Sequence, residues 1–404
     1  MTAQPLNGIN VADFTWLTVG PVTSRYLAYH GATVVHVESR TAYDVSRAVG
    51  PYANGEPGPN RSGFFNTYNG GKLGITLNLR NPKARPIVEK LIRWADVVVD
   101  NFTPGTMGRL GLGYDDLVKI KPDIIAIGAS NVGQYGPNAK LPGLGITTAA
   151  MAGFGHLTGW PDRDPVLPYG AYTDMICPRF GAALIAAALD YRRRTGKGQY
   201  LDLAQMESAI LFLAPLVLDY TVNGRIQERI GNRSMRACPH NVYRCSGDDR
   251  WCAIAVYGDH EWKALCSVIG DPDWSEEPRF STMLGRMEHE TELDKLIEQW
   301  TQHLRAEELM KRLQAVGVSS GVVETNEDLF NDPQLKHRHH FRFVEHPEAG
   351  KHAYDGPCYV MSKTPGEVSR PAPILGQHTE HVCTQFLGLS DQEYAEYIAD
   401  GVFE

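Results

Sequence analysis

The sequence predicts an α/β fold, a mainly parallel open sheet with helices on its faces, accompanied by a smaller α+β domain. Three observations predict it. Short β-branched runs alternate with amphipathic helical stretches through the first 130 residues. Residues 225 to 325 replace that rhythm with charged, helix-rich sequence. At roughly 100–200 residues per domain, a chain of 404 residues is long enough for two. The alternation is Rossmann-like in its order.

The elements follow in order. INVADF, residues 9 to 14, is a short apolar strand. Pro21 suits a first helical position, SRYLAYH continues with helical periodicity, and Gly31 closes the helix before the strand TVVHVE. The unit then repeats with the strand GITLNL (Gly74 to Leu79), a helix through PKARPIVEKLIRWA opened by Pro82, and the strand DVVVDNF (Asp96 to Phe102). A helix ending near Lys121 and the strand DIIAIGAS (Asp123 to Ser130) come next. A Gly- and Pro-rich stretch, Val132 to Gly145, interrupts the alternation. Beyond it, an almost all-round apolar helix runs from about Met175 to Arg194, ended by a basic cluster and by Gly196 as its C-terminal cap. Such a helix is expected to be buried in a core or a subunit interface.

The expected domain plan is a large domain begun by residues 1–200, a linker at 201–224 and a small domain at 225–325. A second linker and a C-terminal return to the large domain then occupy 326–404. Within the small domain DDRWCAIAVY reads as a strand, and EWKALCSVIG and ELDKLIEQWTQHLRAEELMKRLQAVG as helices. FRFVEHP and DGPCYVMS read as short strands, followed by a final helix in PAPILGQHTEHVCTQFLGL.

Composition excludes several function classes. With 39 basic and 47 acidic side chains the formal charge is −8, and only Arg192 to Arg194 and Lys336 to His340 are locally basic, so nucleic acid is not an expected partner. The longest apolar runs, Phe180 to Leu189 and Ala209 to Leu218, reach about half of the ~20 residues that a bilayer crossing needs. The N-terminal sequence lacks the pattern of a secretory signal. Seven scattered cysteines, none in a C-x-x-C pair, read as reduced thiols of a cytoplasmic protein.

Few positions suggest chemistry by themselves. Glu38 lies where a dinucleotide-binding protein places its ribose acid. The first β-α turn reads TVGP without the required glycines, so a nicotinamide cofactor is disfavoured and Glu38 reads as a solvated strand-end acid. The segment Asn101 to Gly111 follows a parallel strand, where open α/β sheets bind ligands. Asn101 offers an amide and Arg109 a guanidinium one turn into a helix, a pair suited to phosphate or carboxylate. Asp174 precedes the apolar helix, where the commonest reading is an N-cap. An aspartate held ionised by the helix dipole could also attack a carbonyl carbon without a base. The histidines match no metal-binding spacing, there is no G-x-S-x-G elbow, and Cys177 sits among apolar neighbours as core filler, so no metal site is expected.

Taken in order, VADFTWLTVGPVTSRYLAYHGATVVHVES, NGGKLGITLNLRNP, DVVVDNFTPGTMGRLGLGYDDL, GAYTD with ALDYRRRTGKGQYLDLAQMES, and APILGQHTEHV resemble the family III CoA-transferases across almost the whole chain. This group includes formyl-CoA and carnitine CoA-transferases and shares its fold with alpha-methylacyl-CoA racemases. The resemblance implies no prosthetic group and coenzyme A thioesters as substrates. It places the nucleophile on Asp174 and the CoA contacts on Arg40, Leu77, Arg80, Asn101, Phe102, Arg109 and Leu110. The three arginines would meet phosphates, while Asn101 and Phe102 would line the nucleotide. Ser39 departs from members with a second arginine there, and the glycine-rich loop of oxalate-using members is missing. Racemases of this fold carry G-H-D where this chain reads Gly143, Leu144, Gly145, and leucine cannot transfer a proton.

The resemblance further implies transfer through an aspartyl anhydride and an aspartyl-CoA thioester, with succinyl-CoA as donor and a substituted dicarboxylic acid such as benzylsuccinate as acceptor. Phe14, Trp16, Tyr135, Trp160 and Tyr172 could wall such an acid. An intertwined homodimer, or a heteromer with a homologous subunit, is the expected assembly. The alternatives are an acyl-CoA racemase and a non-catalytic CoA-binding subunit, against which Asp174 speaks.

Overall fold

The computed structural model describes residues 4–404. The chain divides into two compact units. One runs to Phe154 and takes in Leu167–Ile226 and Pro333–Glu404; the other comprises Gly155–Val166 and Gln227–Asp332. The segment Gly155–Val166, which the sequence leaves in the large domain, therefore groups with the second unit.

The first unit opens with strand β1 (Asn10–Asp13), helix α1 (Val19–Tyr29) and strand β2 (Thr33–Glu38). Gly31 closes α1 at φ 99°, a conformation glycine adopts without a Cβ penalty. Helix α2 (Gly63–Asn69) leads to β3 (Leu73–Thr76), and α3 (Arg85–Trp94) to β4 (Val97–Asp100). Helix α4 (Tyr114–Ile120) connects to β5 (Ile125–Ser130), and the long α5 (Tyr172–Thr195) to β6 (Gln199–Ala204). The six strands pair in parallel in the order β3-β2-β1-β4-β5-β6.

The period of two divides the strand side chains between two cores. Ala12, Val35, Ile75 and Val98 join Ile87, Leu91, Val382 and Val402 on one face. Val11, Val34, Val97, Val99, Ile125 and Ile127 meet Val19, Leu27, Cys177, Ile185 and Ala188 on the other. A sheet covered on both faces explains strands that read as continuous apolar runs.

Strand β6 occupies part of the span expected to be a linker. Its alternating QYLDLA sequence suits a half-exposed edge strand, and its polar positions hide it from a search for apolar runs. The rest of that span is helical, in α6 (Gln205–Ile210) and α7 (Ala214–Asn223).

The second unit carries an antiparallel sheet of β7 (His240–Arg244), β8 (Trp251–Ala255) and β9 (Ser319–Val322). Helices α8 (Asp259–Ile269), α9 (Glu290–Thr301) and α10 (Ala306–Ala315) bury Trp262, Leu293, Ile297, Leu309 and Leu313 in a core shared with Tyr243 and Ile254. Back in the first unit, β10 (Phe341–His346) and β11 (Gly350–Asp355) form a hairpin. DGPCYVMS contributes only its first residue to β11, since Pro357 has no N–H for a ladder. The tail then returns to the sheet edge: Asn78 N–H donates to the Val402 carbonyl and Gly74 N–H to His378 Nδ1. Helix α11 (Asp391–Ala399) follows a capping box of Ser390 and Glu393. Among the described residues no helix is long and apolar enough to cross a membrane.

Candidate active site

Strand order reverses between β1 and β4, and at such a switch point the loops leaving two adjacent strands diverge and open a crevice. The two loops are tied together here. Asn101 Oδ1 accepts the Trp16 N–H at 2.9 Å, its Nδ2 donates to the Trp16 carbonyl at 2.8 Å, and Phe102 meets the Trp16 ring in a T-shaped contact at 5.6 Å. The β1 loop is also anchored from below, where Asp13 Oδ1 accepts from the Thr15 N–H and hydroxyl.

Beneath the loop lies a buried ionic chain. Asp13 pairs with Lys72 at 2.8 Å and accepts from Ser24, and Asn69 holds the same ammonium at 2.8 Å. Burial raises the Asp13 carboxyl, but Lys72 and His36 override it and hold the group well below the carboxylate range. Glu38 takes Arg47 in a bidentate pair at 2.8 and 2.7 Å and is fully buried, correcting its reading as a solvated strand end.

Asp174 is the third residue of α5, whose N-cap is Ala171. It is therefore not an N-cap, and its carboxyl is free for other partners. The Gln205 amide and the Thr18 hydroxyl hydrogen-bond to it. Gln205 Oε1 lies 3.2 Å from the Thr173 hydroxyl, which turns its NH2 toward Asp174. Asp174 is 9% exposed, and burial pushes its carboxyl up to about 6 against the two hydrogen bonds. Desolvation thus outweighs the two hydrogen bonds that favour the charged form. Burial likewise pushes the Cys177 thiol up to about 12, removing it as a nucleophile.

Asp174 opens onto a cleft of about 120 Å³. Leu17, Thr18 and Val19 line it from the β1 loop, Asn101 to Pro104 from the β4 loop, and Ala129 to Asn131 from the end of β5. Ala139, Leu141, Gly143, Leu144, Gly145 and Gln205 complete the wall. Gly145 is required there: a Cβ on it would lie 2.5 Å from the Asp174 carboxyl carbon.

Asn101 and Phe102 thus share the cleft with Asp174, although the Asn101 side chain is consumed by Trp16. Arg40, Leu77, Arg80, Arg109 and Leu110 do not line it. Arg40 follows β2, Leu77 and Arg80 follow β3, and Arg109 and Leu110 follow β4, all at the carboxyl edge of the sheet. The three arginines are exposed or nearly so, with Arg109 donating to the Thr106 hydroxyl. Leu77 is buried in the core and Leu110 packs against it.

None of the five aromatic residues expected as a wall lines the cleft. Phe14 is core, Trp16 stands behind Phe102, Trp160 belongs to the second unit, Tyr172 packs on Phe154, and Tyr135 is exposed. The sequence reading missed Thr18, Gln205 and Gly145. Thr18 lies in the turn between the first strand and the first helix, a signal it could have used; Gln205 follows β6, the strand it overlooked.

Comparison with known proteins agrees with this architecture. The family described as CoA-transferase family III matches residues 6–379. The chain belongs to that family. A family III CoA-transferase similar to it is the succinyl-CoA–D-citramalate CoA-transferase of Chloroflexus aurantiacus, 32% identical over 97% of this chain and 96% of the relative. The succinyl-CoA:glutarate CoA-transferase of Mus musculus is 30% identical over 99% of this chain and 91% of the relative. Among solved structures, a CAIB/BAIF family protein from Brucella suis superposes with a TM-score of 0.87 at 28% identity, covering 95% of this chain and all of the other.

Proposed function

We propose that this enzyme moves CoA from succinyl-CoA to a dicarboxylic acid, with Asp174 as nucleophile. One observation carries the reading: Asp174 is the only carboxylate among the residues lining the switch-point cleft, and two neutral donors serve it there. A carboxylate raised to about 6 is mostly ionised at neutral pH yet poorly solvated, and so more reactive toward a carbonyl. The relatives' names supply the substrate class, since D-citramalate and glutarate are dicarboxylic acids and succinyl-CoA is the thioester of one.

The steps balance without a proton or an oxidant. An Asp174 oxygen attacks the thioester carbonyl, the C–S bond breaks, and CoA leaves as thiolate from a mixed anhydride. The thiolate attacks the aspartyl carbonyl, releasing succinate and leaving an aspartyl-CoA thioester. The acceptor carboxylate displaces the thiolate, which then takes the acceptor's acyl carbon and restores the Asp174 carboxylate. Each tetrahedral oxyanion needs a donor, and the Thr18 hydroxyl, hydrogen-bonded to the reacting carboxyl, is in place to serve as one.

For CoA itself, Arg40, Arg80 and Arg109 are the phosphate partners in this reading, and Phe102 and Leu110 the apolar ones. Asn101 and Leu77 would contribute main chain, because their side chains are occupied. Exposed apolar residues on and before α7, including Leu211, Phe212, Leu218 and Val222, support assembly as an intertwined homodimer or a heteromer. The seven unpaired cysteines suit a reducing, cytoplasmic compartment.

The test is transfer from succinyl-CoA to D-citramalate, glutarate and benzylsuccinate, with α-proton exchange in heavy water as the racemase arm. Asp174→Ala and Asp174→Asn are expected to abolish transfer while CoA binding persists. Retained turnover in either would refute the assignment.

A further inference from the structure

Leu17 lies in the left-handed region at φ 62°, where side chains other than glycine seldom settle, and it lines the cleft directly before Thr18. Its N–H donates to Asp44 Oδ1 at 2.9 Å. Asp44 is fully buried and lies 27 residues further along the chain. The same oxygen accepts the Ser46 N–H at 2.9 Å as the cap of a short 3₁₀ turn, and the Asp44 N–H donates to Glu38 Oε1 at 3.0 Å. Asp44 therefore joins the Glu38–Arg47 pair to the cleft loop.

Thr18 shows what the clamp achieves. It occupies the N-cap of α1, where a threonine hydroxyl ordinarily accepts from the first turn, yet its side chain makes no cap bond. The hydroxyl faces Asp174 instead. Gly20 makes the turn tight, since a Cβ there would lie 2.3 Å from Thr15 Cγ2. With Thr15 fixed by Asp13 and Trp16 by Asn101, Leu17 is the remaining link before Thr18.

We infer that Asp44 is a positioning residue for the transfer reaction: by holding Leu17 left-handed it aims the Thr18 hydroxyl at Asp174. The inference rests on Asp174 as nucleophile. It goes beyond an ordinary cap because the cap accounts for Ser46 alone and leaves the Leu17 conformation without a cause.

The test measures kcat, KM for succinyl-CoA and CoA affinity in five variants. Asp44→Ala is expected to lose about 10- to 100-fold in kcat, with KM and CoA affinity within about threefold, as a misaimed reacting group would. Asp44→Asn keeps an acceptor oxygen and is expected to stay within about threefold of the parent in kcat. Leu17→Val, β-branched and poorly tolerated at positive φ, is expected to lose about tenfold. Leu17→Gly removes more of the side chain yet enters that region freely, so it should turn over faster than Leu17→Val. If Asp44→Ala fails to fold, the order of the two Leu17 variants decides. Leu17→Val as fast as Leu17→Gly, or Asp44→Asn as slow as Asp44→Ala, overturns the clamp. Asp174→Ala separates the two readings: its turnover would overturn the nucleophile itself, whereas its inactivity beside unchanged Asp44 and Leu17 variants overturns the clamp alone.

Discussion

Replacing Gln205 by Leu should move the acid limb of the pH–rate profile upward. Transfer needs the ionised Asp174, so turnover is present above the carboxyl's folded pKa and lost as pH falls through it, at about 6 in the parent enzyme. Gln205, 5% exposed, donates one of the two hydrogen bonds that favour the ionised form. A hydrogen bond to a charged group contributes about 1.5–3 kcal/mol, and at about 1.36 kcal/mol per pKa unit its loss raises the carboxyl by about one to two units. The limb should then lie between about 7 and 8. At pH 7 the ionised fraction falls from about nine tenths to between about a half and a tenth, so kcat should drop about two- to ninefold and recover toward pH 9. The assay is kcat against pH at saturating succinyl-CoA and acceptor. A limb that stays in place or moves downward would refute both the contact's role and the requirement for an ionised Asp174.

Three further outcomes test other parts of the molecule. Gly145→Ala puts a Cβ 2.5 Å from the Asp174 carboxyl carbon, and displacing the nucleophile should cost about 100-fold in kcat with CoA affinity retained, read by steady-state kinetics and calorimetry. Asp100 ends β4, and burial pushes its carboxyl up to about 7 with one opposing N–H, from Phe102. Its folded form holds the proton more tightly than the unfolded chain does, so stability is lost as pH rises from about 4 through 7. Asp100→Asn should therefore gain about 2–4 kcal/mol at pH 8 and almost nothing at pH 4, measured by urea unfolding at both. Lys72→Met strands a fully buried Asp13 and should destabilise the protein by about 3–5 kcal/mol in the same assay, and a loss below about 1 kcal/mol would contradict the buried pairing.

How far the sequence carries the fold depends on how local each signal is. The five strands of the first 130 residues are legible because a sheet buried on both faces demands unbroken apolar runs, and VVV at 97–99 or IAI at 125–127 can serve little else. Edge strand β6 is not legible, because half its side chains face water and its polar alternation reads as a connection. The misjudged environment of Glu38 has a similar cause, since its partner Arg47 arrives from a short 3₁₀ turn with no periodicity to announce it.

The α/β class, the succession of β-α units and the place of Asp174 at the start of a long apolar helix are legible in the sequence, because all are properties of neighbours within a few residues. What Asp174 experiences depends on contacts from distant parts of the chain. Thr18 and Gln205 reach it from 156 positions before and 31 after, and Gly145 leaves room for it. Those contacts exist because strand order reverses between β1 and β4, which brings the ends of β1, β4, β5 and β6 around one cleft. Helical and strand periodicities record which face of an element is apolar. They carry no record of which strand lies beside which, and the chemistry of the site depends on that order.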